Sequence, residues 1–299
     1  MSDRASAAGG RWLITGSGGM LGRDLAAALA ARGADVRGVT RAELDITDEA
    51  GVAAALREHT PDVVVNCAAW TVVDAAETSE AAALAVNGPG AGHLAAAIAD
   101  GCAAPSCRLV QLSTDYVFAG DAEQPYAEDD SPAPRTAYGR TKLAGEEAVR
   151  KILPAASYVV RTAWLYGAHG PNFVRTMIRL ERERPAVDVV ADQHGQPTWT
   201  ADVASRVIAL VGADAPPGVY HATSSGQTTW FGLAREVFRL LGADPERVRA
   251  ITTAQYPVPA PRPAYSVLGH QAWVKAGIDP IGGWQAALGQ AFPVLTRKA

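Results

Sequence analysis

The chain has 299 residues, 48% of them hydrophobic, with 27 Lys and Arg against 31 Asp and Glu and a formal net charge of -4. That is enough apolar material for one large domain or two coupled ones, and the charge balance excludes the basic footprint of a nucleic-acid or anionic-membrane binder. Three scattered cysteines (Cys67, Cys102, Cys107) without CxxC spacing, and six histidines without HxH or HExxH spacing, argue against a disulfide framework and a metal-centred mechanism and for a cytoplasmic protein.

Residues 1–10, MSDRASAAGG, lack the apolar core of a signal peptide and read as a disordered lead-in. No later stretch holds the roughly 18 uninterrupted apolar residues of a membrane span. A dinucleotide-binding domain is expected over residues 11–165. It opens with an apolar strand at Trp12–Thr15, a helix at Leu21–Ala31 and a β-branched strand at Val36–Val39. Val52–Glu58 is helical in composition, and Val63–Val65 makes the third strand. Ala81–Ala99 reads as one long Ala-rich helix. Leu109–Leu112 is the fourth strand, Ala137–Ile152 the next helix, and Tyr158–Val160 the strand after it. Such alternation requires right-handed crossovers. The expected fold class is therefore α/β, a doubly wound parallel sheet of Rossmann type covered on both faces. Beyond residue 165 the pattern loosens. Helical stretches at Asn172–Arg184, Asp202–Val211 and Phe231–Leu241 are separated by polar or Pro-rich segments at Asp192–Trp199 and Tyr256–Pro263. Residues 166–299 are expected to form mainly a smaller substrate-binding lobe, interleaved in part with the first domain.

The first strand runs into Gly16-Ser17-Gly18-Gly19-Met20-Leu21-Gly22, a GxxGxxG turn that opens a helix. The first glycine permits a tight turn, the second lets backbone approach a pyrophosphate, and the third lets helix pack on sheet. The helix N-terminus then offers unpaired N–H groups to the anion. The second strand ends Val39-Thr40-Arg41, with no acid at its tip. Arg41 suits the extra phosphate of NADP better than the ribose of NAD, although a solvated loop charge would read the same. Asp45 and Ile46 would flank the adenine.

Tyr138 and Lys142 are four residues apart, so they share a helix face. A cation beside a phenol lowers its pKa and suits it to proton transfer. On spacing alone the pair also fits an ordinary amphipathic surface. About two dozen residues upstream, Ser113 and Thr114 end the fourth strand, where doubly wound folds bind ligands. Thr114 is placed to hold a carbonyl oxygen beside Tyr138, while Ser113 should point the other way. Neither has the GxSxG context of a nucleophile.

Taken together, the Gly-rich turn, Asn66 to Ala69 after the third strand, Asn87, Ser113-Thr114 and the Tyr138–Lys142 pair resemble the extended short-chain dehydrogenase/reductase superfamily. Within it the chain resembles the dTDP-4-dehydrorhamnose reductases from about Arg11 to Ala291. The narrower signature is STDYVF at Ser113–Phe118, with blocks at Arg161–Gly167, Asn172-Phe173, Asp192–Thr198 and Arg262–Leu268. The resemblance implies NADPH-dependent reduction of the C4 ketone of a dTDP-4-keto-6-deoxy-L-hexose, foremost dTDP-4-dehydro-L-rhamnose to dTDP-L-rhamnose. Thr114, Tyr138 and Lys142 would be catalytic. Gly16, Gly19, Met20, Leu21 and Gly22 would line the pyrophosphate, and Asp45, Ile46, Ala68 and Ala69 the adenosine end. Thr71 and Asn87 would complete the cofactor site. Val73, Asp74, Asp115, Tyr116, Trp164 and Arg262 would meet the substrate, with Arg262 on its diphosphate. Trp164 also fits a core aromatic, and Arg262 a surface charge.

The resemblance further implies some tolerance of NAD and a homodimer. Mg2+ has no support in the residues: Asp24 and Asp202 are the nearest candidates, and no metal site is carried over to them. Gly269 stands where the family usually has Asp, and Trp70 where it has a smaller or polar residue, which leaves the sugar and the oligomer open. Three alternatives remain: a reductase for another deoxysugar nucleotide of secondary metabolism, an NDP-sugar epimerase or dehydratase, and a non-catalytic subunit resembling the β subunit of methionine adenosyltransferase.

Overall fold

The short β-branched runs become strands buried on both faces, and the Ala/Leu-rich runs become the helices that cover them. A computed structural model describes residues 10–297; the expected lead-in lies outside the described residues apart from Gly10. In chain order the first half comprises β1 (Arg11–Thr15), α1 (Met20–Ala30), β2 (Asp35–Val39), α2 (Glu49–His59), β3 (Val63–Asn66), α3 (Val73–Ala76), α4 (Glu80–Asn87), α5 (Pro89–Ala99), β4 (Arg108–Thr114), α6 (Ala137–Ile152) and β5 (Ser157–Thr162). The second half comprises β6 (Leu165–Tyr166), α7 (Phe173–Glu183), β7 (Val187–Val190), β8 (His194–Gly195), β9 (Thr198–Trp199), α8 (Thr200–Gly212), β10 (Gly218–His221), β11 (Thr228–Thr229), α9 (Trp230–Leu240), β12 (Val248–Ile251), α10 (Gln271–Lys275) and α11 (Trp284–Leu295).

The main sheet is parallel throughout, in the order β10-β5-β4-β3-β1-β2. Every residue of β3 and β5 is buried, as expected of a sheet with helices on both faces. On one face Leu21, Leu25 and Leu29 of α1 pack with Val203, Val207 and Leu210 of α8. On the other, Val52 and Leu56 of α2 meet Leu94 and Ile98 of α5 and Val149 of α6. Each such side chain contributes about 1.5–3 kcal/mol when fully buried. From β1 the chain moves outward to β2 and then crosses back to β3 on the other side of β1, so the strand order reverses between β1 and β3. The crevice between the ends of β1 and β3 is therefore the topological switch point where such folds take ligands.

The helix expected over Ala81–Ala99 is two helices. Pro89 has no N–H to return to the preceding turn, and Gly88 takes φ -94°, ψ -88°, off the helical path. The break exposes the Asn87 carbonyl to α6. A Cβ on Gly145 would lie 2.0 Å from that oxygen, so α6 approaches the broken helix as closely as glycine allows.

The chain crosses the division expected near residue 165. α8 returns to cover α1, and β10 pairs with β5 from Gly218↔Tyr158 to His221↔Arg161, completing the sheet. The remainder forms a second core in which Met177, Val189, Leu233, Phe238 and Leu288 meet. α11, which contributes Leu288, has no clear signal in the sequence because Gly289 and Pro293 interrupt its pattern.

Candidate active site

The Gly16–Gly22 turn occupies the switch point. Gly16 has φ +63°, and a Cβ there would lie 2.6 Å from the Ala68 nitrogen. A Cβ on Gly22 would lie 2.6 Å from the Gly16 carbonyl. Both positions need glycine, one for its left-handed backbone and both for close approach. The N-cap of α1, Gly19, carries no side-chain cap, so the first N–H groups of an 11-residue helix remain available to an anion. This cradle fits the pyrophosphate of a dinucleotide.

The tip of β2 departs from expectation, because an acid does stand there. Glu43 folds back three residues, and its Oε2 accepts from the Thr40 N–H at 2.8 Å and the Thr40 hydroxyl at 2.9 Å. These bonds, led by the backbone one, hold its carboxyl below the usual range. Arg41 projects into solvent with its Nε 3.3 Å from Asp45. The Asp45 carboxylate also accepts from the Thr47 N–H and hydroxyl. Ile46 is buried against Gly90, and its carbonyl faces the His93 ring.

A buried polar row crosses the sheet from the turn to Lys142. The Thr15 hydroxyl donates to Asn66 Oδ1 (2.6 Å), Asn66 Nδ2 to Gln111 Oε1 (2.8 Å), and Gln111 Nε2 to the Leu112 carbonyl (2.8 Å). Lys142 Nζ donates to the same carbonyl at 2.6 Å. Burial pushes the Lys142 ammonium down to about 8, opposed by Glu146 and Cys67.

A cavity of about 420 Å³ gathers most of the expected residues. Gly16, Gly19, Met20, Leu21 and Gly22 line one side; Ala69, Thr71 and Val73 a second; Thr114, Asp115, Tyr116, Tyr138, Lys142 and Trp164 the rest. Ser113 contributes to the wall as well, and its hydroxyl is buried without a hydrogen-bond partner among the described residues. Thr136 caps α6 by accepting from the Gly139 N–H at 3.0 Å, which fixes the helix start beside Tyr138. The Thr114 hydroxyl donates to Asp115 Oδ1 at 2.9 Å, accepts from the Tyr116 N–H at 3.2 Å, and lies within hydrogen-bonding reach of the Tyr138 phenol. Burial raises the Tyr138 phenol well above its usual value and the Asp115 charge adds to this. The expected lowering by Lys142 is thus not what the fold produces: desolvation dominates, and the influence that opposes it is the Thr114 hydroxyl. Burial likewise lifts the Asp115 carboxyl to about 6.

Other expected residues stand outside the cavity. Asn87 is buried behind it: its amide accepts from the Trp70 N–H (2.9 Å) and donates to the Trp70 carbonyl (3.1 Å) and Thr141 Oγ1 (3.0 Å). It therefore holds the loop after β3 against α6. Ala68 abuts Gly16. Asp74 accepts from Arg262 Nη2 at 2.8 Å and from the Ala260 N–H at 3.1 Å, joining the two lobes.

Arg262 lines a second cavity of about 620 Å³, between α7, β7, α9 and β12. Tyr116 and Trp230 line both cavities. The Trp164 ring stacks on Trp230 at 3.6 Å and 8°. Trp164 has φ +47°, a strained backbone for a bulky residue, and it lies over Gly195, where a Cβ would be 2.4 Å from the indole. Trp230, Gln111 and Glu43 carry no local signal that marks them as site residues.

A Rossmann sheet whose switch-point cavity holds Thr114, Tyr138 and Lys142 defines an extended short-chain dehydrogenase/reductase. Residues 10–296 match the family described as the RmlD substrate binding domain, and the chain belongs to that family. A dTDP-4-dehydrorhamnose reductase of Streptomyces griseus is 57% identical over 97% of this chain and 95% of its own. A dTDP-4-keto-6-deoxy-D-glucose reductase of Streptomyces niveus is 55% identical over 95% and 97%. The crystal structure of a Bacillus anthracis dTDP-4-dehydrorhamnose reductase in complex with NADP superposes with a TM-score of 0.90 at 36% identity, covering 95% of this chain and 99% of that one.

Proposed function

We propose that the protein uses NADPH to reduce the C4 ketone of a dTDP-4-keto-6-deoxy-L-hexose, foremost dTDP-4-dehydro-L-rhamnose to dTDP-L-rhamnose. The observation that carries this reading is the meeting of Thr114, Tyr138 and Lys142 with the Gly16–Gly22 turn in one cavity.

NADPH supplies the hydride when bound. The protein's own residues bind, orient and move the proton. The turn and the α1 N-terminus receive the pyrophosphate. Lys142, anchored on the Leu112 carbonyl, presents a cation to the ribose and the phenol. Tyr138 keeps its proton at neutral pH, which suits an acid that delivers it to the C4 oxygen as charge develops there. Thr114 has one hydroxyl proton, now given to Asp115; as Asp115 protonates near 6, that proton becomes free for the substrate oxygen. Arg262 faces the diphosphate with a fork suited to it, and the second cavity takes the nucleoside.

The Streptomyces niveus relative favours one further reading, a reductase for another deoxysugar nucleotide. A panel of dTDP-4-keto sugars, with NADPH oxidation followed and products identified, separates the two. An epimerase or dehydratase would not consume NADPH stoichiometrically. Tyr138→Phe is expected to lower kcat by 100-fold or more, a general-acid effect of about that size, with NADPH affinity within about twofold. Near-normal turnover would refute the assignment. We further read the protein as a cytoplasmic homodimer with no nucleic-acid or membrane partner, checked by sedimentation and fractionation; among the described residues no helix is long and apolar enough to cross a membrane.

A further inference from the structure

Glu146 follows Lys142 by four residues on α6, so both lie on its buried face. Its side chain is 2% exposed, as is that of Arg161 from β5. Arg161 Nε lies 3.0 and 3.2 Å from the two carboxylate oxygens, and Nη2 donates to Oε2 at 2.7 Å. Arg161 is itself held on its far side. Its guanidinium lies 4.9 Å over the Phe118 ring, and Nη1 is 3.4 Å from His221 Nε2. Burial keeps that imidazole neutral, down to about 3.

A buried ion pair of this kind is a poor source of stability, since well-packed apolar residues often do as well or better. Its placement gives it another use. Lys142 is buried and faces few groups: the Leu112 carbonyl from β4, the Cys67 thiol after β3, and Tyr138 and Glu146 along α6, with Arg161 of β5 behind Glu146. The thiol is pushed up to about 12 by burial and is uncharged at neutral pH. Desolvation works against the ammonium, and Glu146 is the strongest influence in its favour.

We propose that Glu146 is a positioning residue of the active site: its buried carboxylate, clamped by Arg161, is the counter-charge that holds the Lys142 ammonium against the Leu112 carbonyl. The row from Thr15 to Leu112 then fixes where the ammonium sits, and the Glu146 carboxylate favours its charged form. The functional weight of this inference rests on the catalytic reading of Lys142, but its test does not.

The chain has only four lysines, Lys142, Lys151, Lys275 and Lys298, so lysine labelled with 13C at Cε resolves each one by NMR. Lys142→Met assigns the resonance. In the protein without cofactor, Lys142 is expected to titrate below the ordinary lysine range. In Glu146→Gln its midpoint falls by about one unit or more, the scale of a lost neighbouring charge, while Glu146→Asp restores it. Arg161→Gln keeps the carboxylate and removes the opposing charge, so there the midpoint rises. A purely structural role for the pair would not move the two variants in opposite directions. An unchanged Lys142 midpoint in folded Glu146→Gln overturns the proposal. Should that variant fail to fold, a midpoint in Arg161→Gln that falls or stays put overturns it equally. A shifted midpoint with an unshifted pH profile of kcat instead counts against Lys142 as a catalytic group.

Discussion

Gly145→Ala tests the link between helix packing and the site most directly. The added Cβ would stand 2.0 Å from the Asn87 carbonyl oxygen, 3.2 Å from its carbon and 3.4 Å from the Ala91 Cβ. Carbon–oxygen contacts settle at about 3.3–3.6 Å, so α6 and the α4–α5 break must part by roughly 1 Å. Overpacking of this kind costs about 1–3 kcal/mol, and backbone on both sides puts it at the upper end. Alanine returns about 1 kcal/mol of helix propensity. The expected net loss is about 1–2 kcal/mol. At about 2–4 °C per kcal/mol for a domain approaching this size, Tm falls by several degrees. Asn87 moves with its carbonyl, and its amide holds both Trp70 and Thr141, the residue beside Lys142. A displacement on the order of 1 Å at the reacting groups can cost up to about 100-fold, so kcat is expected to fall about tenfold. Gly92→Ala is the control on the same helix pair. Its Cβ would meet Ala148 at 3.5 Å and Ile152 at 3.9 Å, ordinary contacts, so it should stabilise by up to about 1 kcal/mol. Urea unfolding followed by circular dichroism, with kcat at saturating substrate, reads both effects. A Gly145→Ala protein as stable and active as the parent would refute the reasoning.

Three further outcomes follow from the geometry. Glu43→Gln removes a carboxylate from the strand tip where a 2′-phosphate would lie, so the Kd for NADPH should fall relative to that for NADH by about tenfold, the scale of one charge interaction; fluorescence titration showing an unchanged ratio would place Glu43 outside cofactor selection. Arg262→Gln takes away a charge-assisted partner of about 1.5–3 kcal/mol, so KM for the sugar nucleotide should rise about tenfold or more while the Kd for NADPH holds; equal losses in both would point to a folding defect. Burial holds His221 down to about 3 and His270 down to about 4, so between pH 6.5 and 4 the unfolded chain binds two protons that the folded chain refuses. Asp115, raised to about 6, acts in the opposite sense over part of that window. Glu128 and Asp202, raised by burial as well, act with Asp115. The two imidazoles begin to take up protons in the unfolded chain at the top of the window and outweigh them, leaving stability falling as pH drops from 7 to 5, with a shallower slope in His270→Asn; urea midpoints that stay flat or rise toward pH 5 would contradict this.

What could be read from the sequence was local. Gly16, Gly19 and Gly22 declare a turn by spacing, and Tyr138 with Lys142 declares a shared helix face. Both features lie within a few residues, and the fold had only to bring them together. The Gly88-Pro89 break was equally local but sat inside an alanine-rich run whose composition reads as continuous helix. Glu43 lies four residues past the end of β2, close in sequence, yet only the folded turn brings its carboxylate back to Thr40. Trp230, Gln111 and Glu146 depend on contacts between distant segments. Trp230 becomes a wall of both cavities only when α9 docks beside Trp164, and Glu146 becomes a buried charge only when Arg161 arrives from β5. The phenol of Tyr138 illustrates a different limit: spacing predicts the neighbour, but burial, which spacing does not encode, decides the direction of the shift.

The polar row from Thr15 to Lys142 has a consequence for how such a protein can be altered. Each amide in it has one workable orientation, because Asn66 must accept from Thr15 and donate to Gln111, and Gln111 must accept from Asn66 and donate to the Leu112 carbonyl. A carboxylate at position 111 would aim an oxygen at that carbonyl, so the row tolerates exchange only as a unit. It ties the cofactor turn to the lysine without touching α7, α9 or the second cavity. The reductive half is thereby fixed from within the sheet, and it meets the second lobe only through shared walls such as Trp230 and the Asp74–Arg262 pair, which recombination can redraw. Grafts of the second lobe from a relative that takes another sugar should inherit that relative's choice of substrate and leave the hydride chemistry of the host intact.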